Sequence, residues 1–319
     1  MVESLKIENL KAYYYTSTGV VKAVDNVSFV LNKGESLGIA GESACGKSTL
    51  GLSMMRMLQP PGRIVNGKIV LHGTDVLSLT DREFTKKIRW KRISMIFQGA
   101  MNALDPVYTV KAQLKEALTH HGFPQEKIEE RIREAVKQVG LDPSVIKRYP
   151  HELSGGMKQR IVIAMALILR PEFVIADEPT TALDVLVQAQ IINLLKNLKK
   201  EGITIMLITH DLAIISELAD KIGIMYAGEI IEFGSAEQIF KEPKHPYTQA
   251  LIAAIPRLRT DKPISYIKGN PPNLLNPPEG CRFYDRCPHA MDICKQNPPV
   301  ITIDDGYVKC WLYETQNKQ

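Results

Sequence analysis

The sequence predicts an α/β protein whose core is split by an inserted helical lobe, and three features of its 319 residues predict it. A glycine-rich loop, Gly41-Glu-Ser-Ala-Cys-Gly-Lys-Ser-Thr49, lies between a short apolar strand (Gly34–Ala40) and an apolar helix (Leu50–Leu58). Two later runs, Phe173–Ala176 and Ile203–Ile208, are almost wholly apolar, as strands covered on both faces are, and a helix from Gln188 to Lys200, stopped at Gly202, separates them. Between the loop and these strands, Ile128, Ile132, Ala135, Val136 and Val139 fall on one face of a helix over Glu126–Val139, closed by Gly140.

Taken in order, the first ~30 residues read as β: Ser4–Leu10, Tyr13–Thr16 and Val24–Leu31 alternate or run apolar, with Gly19 and the Asn32-Lys33-Gly34 turn as breaks. They predict an antiparallel β subdomain laid beside the α/β core. Helical character from Val107 marks the inserted lobe, at about residues 104–168, and a hairpin of Lys221–Tyr226 and Glu229–Phe233 around Ala227-Gly228 ends the regular part. Nine of the 19 prolines then fall between Pro256 and Pro299, which puts a boundary near residues 245–256. The predicted organisation is one large domain over 1–250 and a small irregular extension over 251–319, with no internal repeat.

A hydrophobic fraction of 45% is enough for a large core plus a smaller appendage. The formal net charge is +5, but lysines and arginines are interspersed with acids, which argues against a nucleic-acid footprint. The N-terminal ten residues carry charges where a signal peptide needs an apolar core, and the longest apolar run, Ile161–Leu169, is far short of the ~20 residues of a membrane helix. Five cysteines in such a chain predict reduced thiols or a metal site in a cytosolic protein rather than a disulfide framework.

The loop matches G-x-x-x-x-G-K-[ST]. Its glycines let backbone N–H groups converge on phosphate oxygens, Lys47 reaches the outer phosphates, and Ser48 supplies a ligand to Mg²⁺. Phe173-Val-Ile-Ala-Asp-Glu178 closes a buried strand with two acids, so that Asp177 can hold Mg²⁺ through its water shell and Glu178 can orient an attacking water. Leu153-Ser-Gly-Gly-Met-Lys-Gln-Arg160 reads as a helix start with Ser154 as N-cap and bare amides at Gly155 and Gly156, an anion site suited to nucleotide presented by a second subunit. Cys45 sits beside a helix N-terminus, which tends to lower a thiol pKa, although a cysteine there is more often just a small residue that fits.

In this order the segments resemble the ATP-binding subunits of ABC transporters. Gly41–Thr49 (with Glu42, Ser43, Ala44, Cys45 and Gly46) matches Walker A, Gln98 the Q-loop, and Leu153–Gln159 the signature. Asp177 and Glu178 match Walker B, Ala182-Leu183-Asp184 the D-loop, and His210 the H-loop. His245-Pro-Tyr-Thr248 and a cysteine-bearing tail narrow the resemblance to the oligopeptide/dipeptide importers; Gly99 departs from the acid common after the Q-loop glutamine. The resemblance implies ATP hydrolysis with Glu178 polarising water, Lys47 and Mg²⁺ (on Ser48 and Gln98) spreading charge, and His210 contacting the γ-phosphate. Tyr14 would stack on adenine, with Tyr13 or Tyr15 as alternatives.

It further implies two transmembrane permease subunits docked on the lobe and on Gly99–Val110, although Met101, Leu104 and Val107 could be ordinary lobe core. A second ATPase paired head to tail, an extracytoplasmic substrate-binding protein acting indirectly, and a peripheral place on the cytoplasmic face of the membrane complete the expectation. The substrate would be di- or oligopeptides, with nickel or another solute as alternative. A soluble ABC ATPase acting on ribosomes or DNA is disfavoured by the absence of tandem cassettes, long coiled coils or basic arms.

Cys281, Cys287, Cys294 and Cys310 are separated by five, six and fifteen residues in a segment with few aliphatics. Such a segment needs a staple other than a core. The absence of a closely spaced pair weighs against zinc, and the resembled branch carries a four-iron four-sulfur cluster on these cysteines; zinc and free thiols stay as alternatives.

Overall fold

The structure, a computed structural model, describes residues 3–99, 103–255 and 267–318. Its contacts divide the chain into two units, residues 1–75 with 207–319, and residues 76–206.

In the first unit β1 (Glu3–Thr16) and β2 (Gly19–Asn32) form a long antiparallel pair. Strand β1 runs through the break expected after Leu10, because the register slips there twice and Asn9 takes a left-handed φ of +47° that asparagine tolerates. Leu5, Ile7, Leu10 and Ala12 are the buried residues that carry it across. Next come β3 (Ser36–Ala40), buried at every position, and α1 (Lys47–Met54), which flank the glycine-rich loop. Two strands absent from the sequence reading, β4 (Gly62–Leu71) and β5 (Thr74–Asp75), complete a four-stranded sheet in the order β2-β1-β4-β5.

The second unit begins with α2 (Asp81–Lys87), started by a Thr80/Glu83 capping box, and β6 (Ile93–Ile96). The helices α3 (Val110–His120), α4 (Ile128–Gln138) and α5 (Gly155–Leu167) follow. The α4 stripe buries Ile128, Ile132, Ala135 and Val136 as its periodicity requires, and also Arg131, whose guanidinium donates to the carbonyls of Leu167 and Ile168 at 2.7 Å each, closing the end of α5. Leu104 is buried, Val107 is 69% exposed, and Met101 lies outside the described residues. Strand β7 (Phe173–Asp177) pairs in parallel with β6, and α6 (Val185–Lys200) starts three residues earlier than expected because Asp184 caps it, accepting from Val187 N–H at 2.9 Å. Strand β8 (Thr204–Ile208) straddles the division between the units.

The first unit resumes with α7 (Leu212–Leu218), β9 (Lys221–Tyr226), β10 (Glu229–Ser235), α8 (Ala236–Lys241) and α9 (Pro246–Ala253). The tail is less irregular than expected. It carries a hairpin, β11 (Val300–Ile303) and β12 (Gly306–Lys309), whose second strand pairs antiparallel with β10, so the order within this unit is β11-β12-β10-β9-β3. Ile301, Val308 and Cys310 form a small buried cluster with Ile303, Leu312 and Tyr313 against it.

The join between tail and body depends on Gly306. A Cβ there would stand 2.0 Å from the carbonyl oxygen of Phe233 in β10. Replacing it by alanine should cost about 1–3 kcal/mol, the scale of overpacking at a tight contact. We expect Gly306→Ala to speed amide hydrogen exchange over residues 300–309 and leave β1 and β2 unchanged; wild-type exchange over 300–309 would contradict the contact.

Candidate nucleotide-binding site

The loop between β3 and α1 owes its path to two glycines. Gly41 and Gly46 have φ of +153° and +108°, and a Cβ on them would lie 2.1 Å from the Met225 carbonyl and 1.9 Å from the Ala23 carbonyl. Lys47 is buried, with Nζ donating to the carbonyl oxygens of Gly41 and Glu42 at 2.8 Å each, so its ammonium sits within the curve of the loop. Ser43 and Ala44 are exposed at the rim, whereas Ser48 and Thr49 are half-buried in the first turn of α1.

Cys45 takes the commoner of the two readings that the sequence left open. It is 4% exposed, and although Lys47 favours its thiolate, burial wins and pushes the thiol up. It is a small residue that fits, its carbonyl accepting from Gly228 N–H at 2.8 Å.

The three tyrosines of β1 are separated by their partners. Tyr13 donates its hydroxyl to Asp25 at 2.6 Å, Tyr15 carries the Arg63 guanidinium 3.9 Å above its ring, and the half-buried Tyr14 lies against Gly62, where an added Cβ would come within 2.6 Å of the ring. Asp25 is also paired with Arg282. Burial pushes its carboxyl up, but the Tyr13 hydroxyl and the Arg282 guanidinium override this and leave it below the ordinary value.

In the second unit β7 delivers Asp177, buried, and Glu178, which takes a φ of +46°. Gln98 Nε2 donates to Glu178 Oε2 at 2.9 Å and Thr181 Oγ1 donates to the same oxygen at 3.0 Å, so the residues expected as Q-loop glutamine and Walker B glutamate come together. Ser154 caps α5 by accepting from Met157 N–H at 3.3 Å, leaving Ser154 and Gly155 exposed and Gly156 half-buried. Buried Gln159 donates to the Pro179 carbonyl at 2.8 Å, fastening the signature helix to the segment after Glu178. His210 is exposed at the end of β8, and Asp211 beside it caps α7.

The tail cysteines line one pocket with His245, Tyr284, His289 and Trp311. Burial pushes Cys281 to about 12 and Cys310 to about 11. Among the described residues, however, no three His, Cys, Asp or Glu side chains form a group that could hold a metal ion. The metal staple expected from the cysteines, zinc or iron–sulfur, is therefore not supported by a ready single-ion site; pairing with β10 and the arginine ion pairs fasten the tail in this geometry. Those arginines were missed in the sequence. Arg286 pairs with Glu42 of the loop, and Arg282 with Asp25; the available signal was a pair of cations inside Cys281-Arg-Phe-Tyr-Asp-Arg-Cys287.

Residues 24–181 match the family described as ABC transporter, and residues 231–294 match the family described as Oligopeptide/dipeptide transporter, C-terminal region. The dipeptide transport ATP-binding protein DppD of Caldanaerobacter subterraneus subsp. tengcongensis is 44% identical, with 97% of each chain covered. The oligopeptide transport ATP-binding protein OppD of Salmonella typhimurium is 46% identical, covering 96% of this chain and 92% of its own. The chain belongs to the ABC transporter ATP-binding proteins, in the oligopeptide/dipeptide family. A solved ABC cassette, dimeric in a post-hydrolysis state with ADP and phosphate, is 29% identical with a TM-score of 0.65 over 73% of this chain and 98% of its own. Part of an ABC transporter complex from Clostridium perfringens, also 29% identical, gives 0.66 over 76% and 92%. The glycine-rich loop lies within the stretch that matches the ABC transporter family.

Burial of Cys45 has a measurable consequence. Mass-spectrometric mapping of maleimide labelling should find Cys45 modified at least about a hundredfold more slowly in native protein than in denaturant, the ratio expected when a thiol reacts only through local opening. Labelling at the denatured rate would show a thiol exposed in the folded loop.

Proposed function

We propose that this chain is the ATP-hydrolysing subunit of an importer that takes up di- or oligopeptides through separate membrane permease subunits, paired head to tail with a second ATPase and served indirectly by an extracytoplasmic substrate-binding protein. One observation carries the reading: relatives 41–46% identical over nearly the whole chain, tail included, are named dipeptide or oligopeptide transport ATP-binding proteins. No helix among the described residues is long and apolar enough to cross a membrane. Attachment at the cytoplasmic face then runs through the permeases, and the exposed Val107 and Tyr108 of the lobe, at 69% and 56%, support this face as their contact.

In the proposed mechanism residues 1–250 are the nucleotide-binding domain. Lys47 and the amides of Gly41–Thr49 hold the phosphates of ATP, and Tyr14 stacks on adenine. Ser48 and Gln98, with Asp177 behind its water shell, would hold Mg²⁺, which supplies positive charge against the phosphates. Glu178 orients the attacking water; bonds from Gln98 and Thr181 to one of its oxygens fix the rotation of the carboxylate. His210 contacts the γ-phosphate, while Ser154, Gly155 and Gly156 receive nucleotide held by the second ATPase. Glu178→Gln should keep ATP binding and slow hydrolysis by at least about a hundredfold, as loss of a positioned acid–base group does. Near-normal turnover in the assembled transporter would sink the assignment.

For the extension, residues 251–319, we infer a four-iron four-sulfur cluster on Cys281, Cys287, Cys294 and Cys310. The support is that all four line one pocket and that their spacing lacks the close pair on which structural zinc usually draws. Protein purified without oxygen should contain about four iron and four sulfide per chain, the content of a cubane on four cysteines. Stoichiometric zinc without iron in natively expressed protein would overturn the cluster.

A further inference from the structure

Glu42 brings a carboxylate into the glycine-rich loop. Such a loop gathers N–H groups and a lysine to meet a polyanion, and a carboxylate one residue after its first glycine opposes that purpose through like-charge repulsion. Glu42 is not left to face the phosphates alone. Arg286 Nη1 donates to its Oε2 and Nη2 to its Oε1, both at 2.8 Å, a two-pronged pairing that matches the planar guanidinium to the planar carboxylate.

Arg286 is itself held on its other sides. Its side chain is 5% exposed, Nη1 also donates to the Tyr226 hydroxyl at 3.1 Å, and Nε donates to the Lys268 carbonyl at 3.0 Å. The backbone of Glu42 is tied as firmly. Its N–H donates to the Tyr247 hydroxyl at 3.0 Å and its carbonyl accepts from Lys47. Beneath these bonds the rings of Tyr226, Tyr247 and Phe283 pack with centroids 4.6 to 5.4 Å apart, and Phe283 is 2% exposed. That cluster anchors the segment between Cys281 and Cys287. Arg282, on the same segment, pairs with Asp25 and donates to the Ala227 carbonyl; the neighbouring Gly228 N–H in turn donates to the carbonyl of Cys45 inside the loop.

We propose that Arg286 is a positioning residue of the nucleotide site: it neutralises Glu42 and holds that carboxylate off the phosphates, so the cysteine-rich tail completes the phosphate loop. Nucleotide affinity then depends on a segment more than 230 positions further along the chain. This rests on the reading of Gly41–Thr49 as the loop that binds ATP.

Equilibrium binding of a fluorescent, non-hydrolysable ATP analogue with Mg²⁺ tests it in the full chain. Arg286→Ala should raise the Kd about tenfold or more, the size of a lost buried charge coupling, and Arg286→Lys, which keeps charge but not the fork, should fall between. The deciding variant is the double substitution R286A with E42Q. It lacks the same arginine, so any damage to the folding of the tail persists in it, yet it removes the carboxylate that Arg286 is proposed to neutralise. Recovery of affinity toward wild type is expected. A double variant as weak as R286A, or R286A binding like wild type, would overturn the role of Arg286. A wild-type chain that does not bind the analogue would instead overturn the reading of the loop.

Discussion

Two backbone carbonyls, of Met225 and Ala23, crowd the phosphate loop so closely that nothing larger than hydrogen fits on Gly41 and Gly46. This steric constraint governs the first unit. Because Met225 belongs to β9 and Ala23 to β2, the loop is pressed between elements of both sheets of that unit, and its left-handed glycines keep the curve in which the Lys47 ammonium lies. The same compression explains Cys45: a loop held this tightly has room for a small side chain turned inward and none for one open to reagent.

The second unit solves a different problem, how to aim an acid. Glu178 takes a left-handed backbone conformation that costs a non-glycine residue about 1–3 kcal/mol, and such a conformation persists only where its surroundings over-determine it. They do so here through Gln98 and Thr181 on the carboxylate and Gln159 on the carbonyl of the next residue. Helix α5, Gln98 and the end of β7 thereby share one hydrogen-bonded neighbourhood.

Much of this was legible in the sequence because it rests on local rules. The glycine spacing, the uninterrupted apolar runs of β7 and β8, the α4 stripe and the signature helix start each follow from a short stretch of residues. What escaped depends on partners far along the chain. The bridging of Leu10 by a register slip, the arginines onto Glu42 and Asp25, and the attachment of β12 to β10 are contacts that no window of fifteen residues contains. Strand β4 escaped for another reason: Arg63, Asn66, Gly67 and Lys68 dilute its alternation, and its pairing with β1 supplies what its own pattern lacks.

The hairpin at the end of the chain also has a bearing on solubility. Strand β12 occupies the side of β10 opposite β9, where a row of N–H and C=O groups would otherwise stand ready to bond any extended chain. Its own far side is taken by β11, a four-residue strand whose shortness makes it a poor template for further addition. The tail therefore doubles as an edge guard: a version of this protein trimmed of residues 251–319 would bare the edge of β10, with Ile230, Ile231 and Phe233 on it, as a nucleus for aggregation.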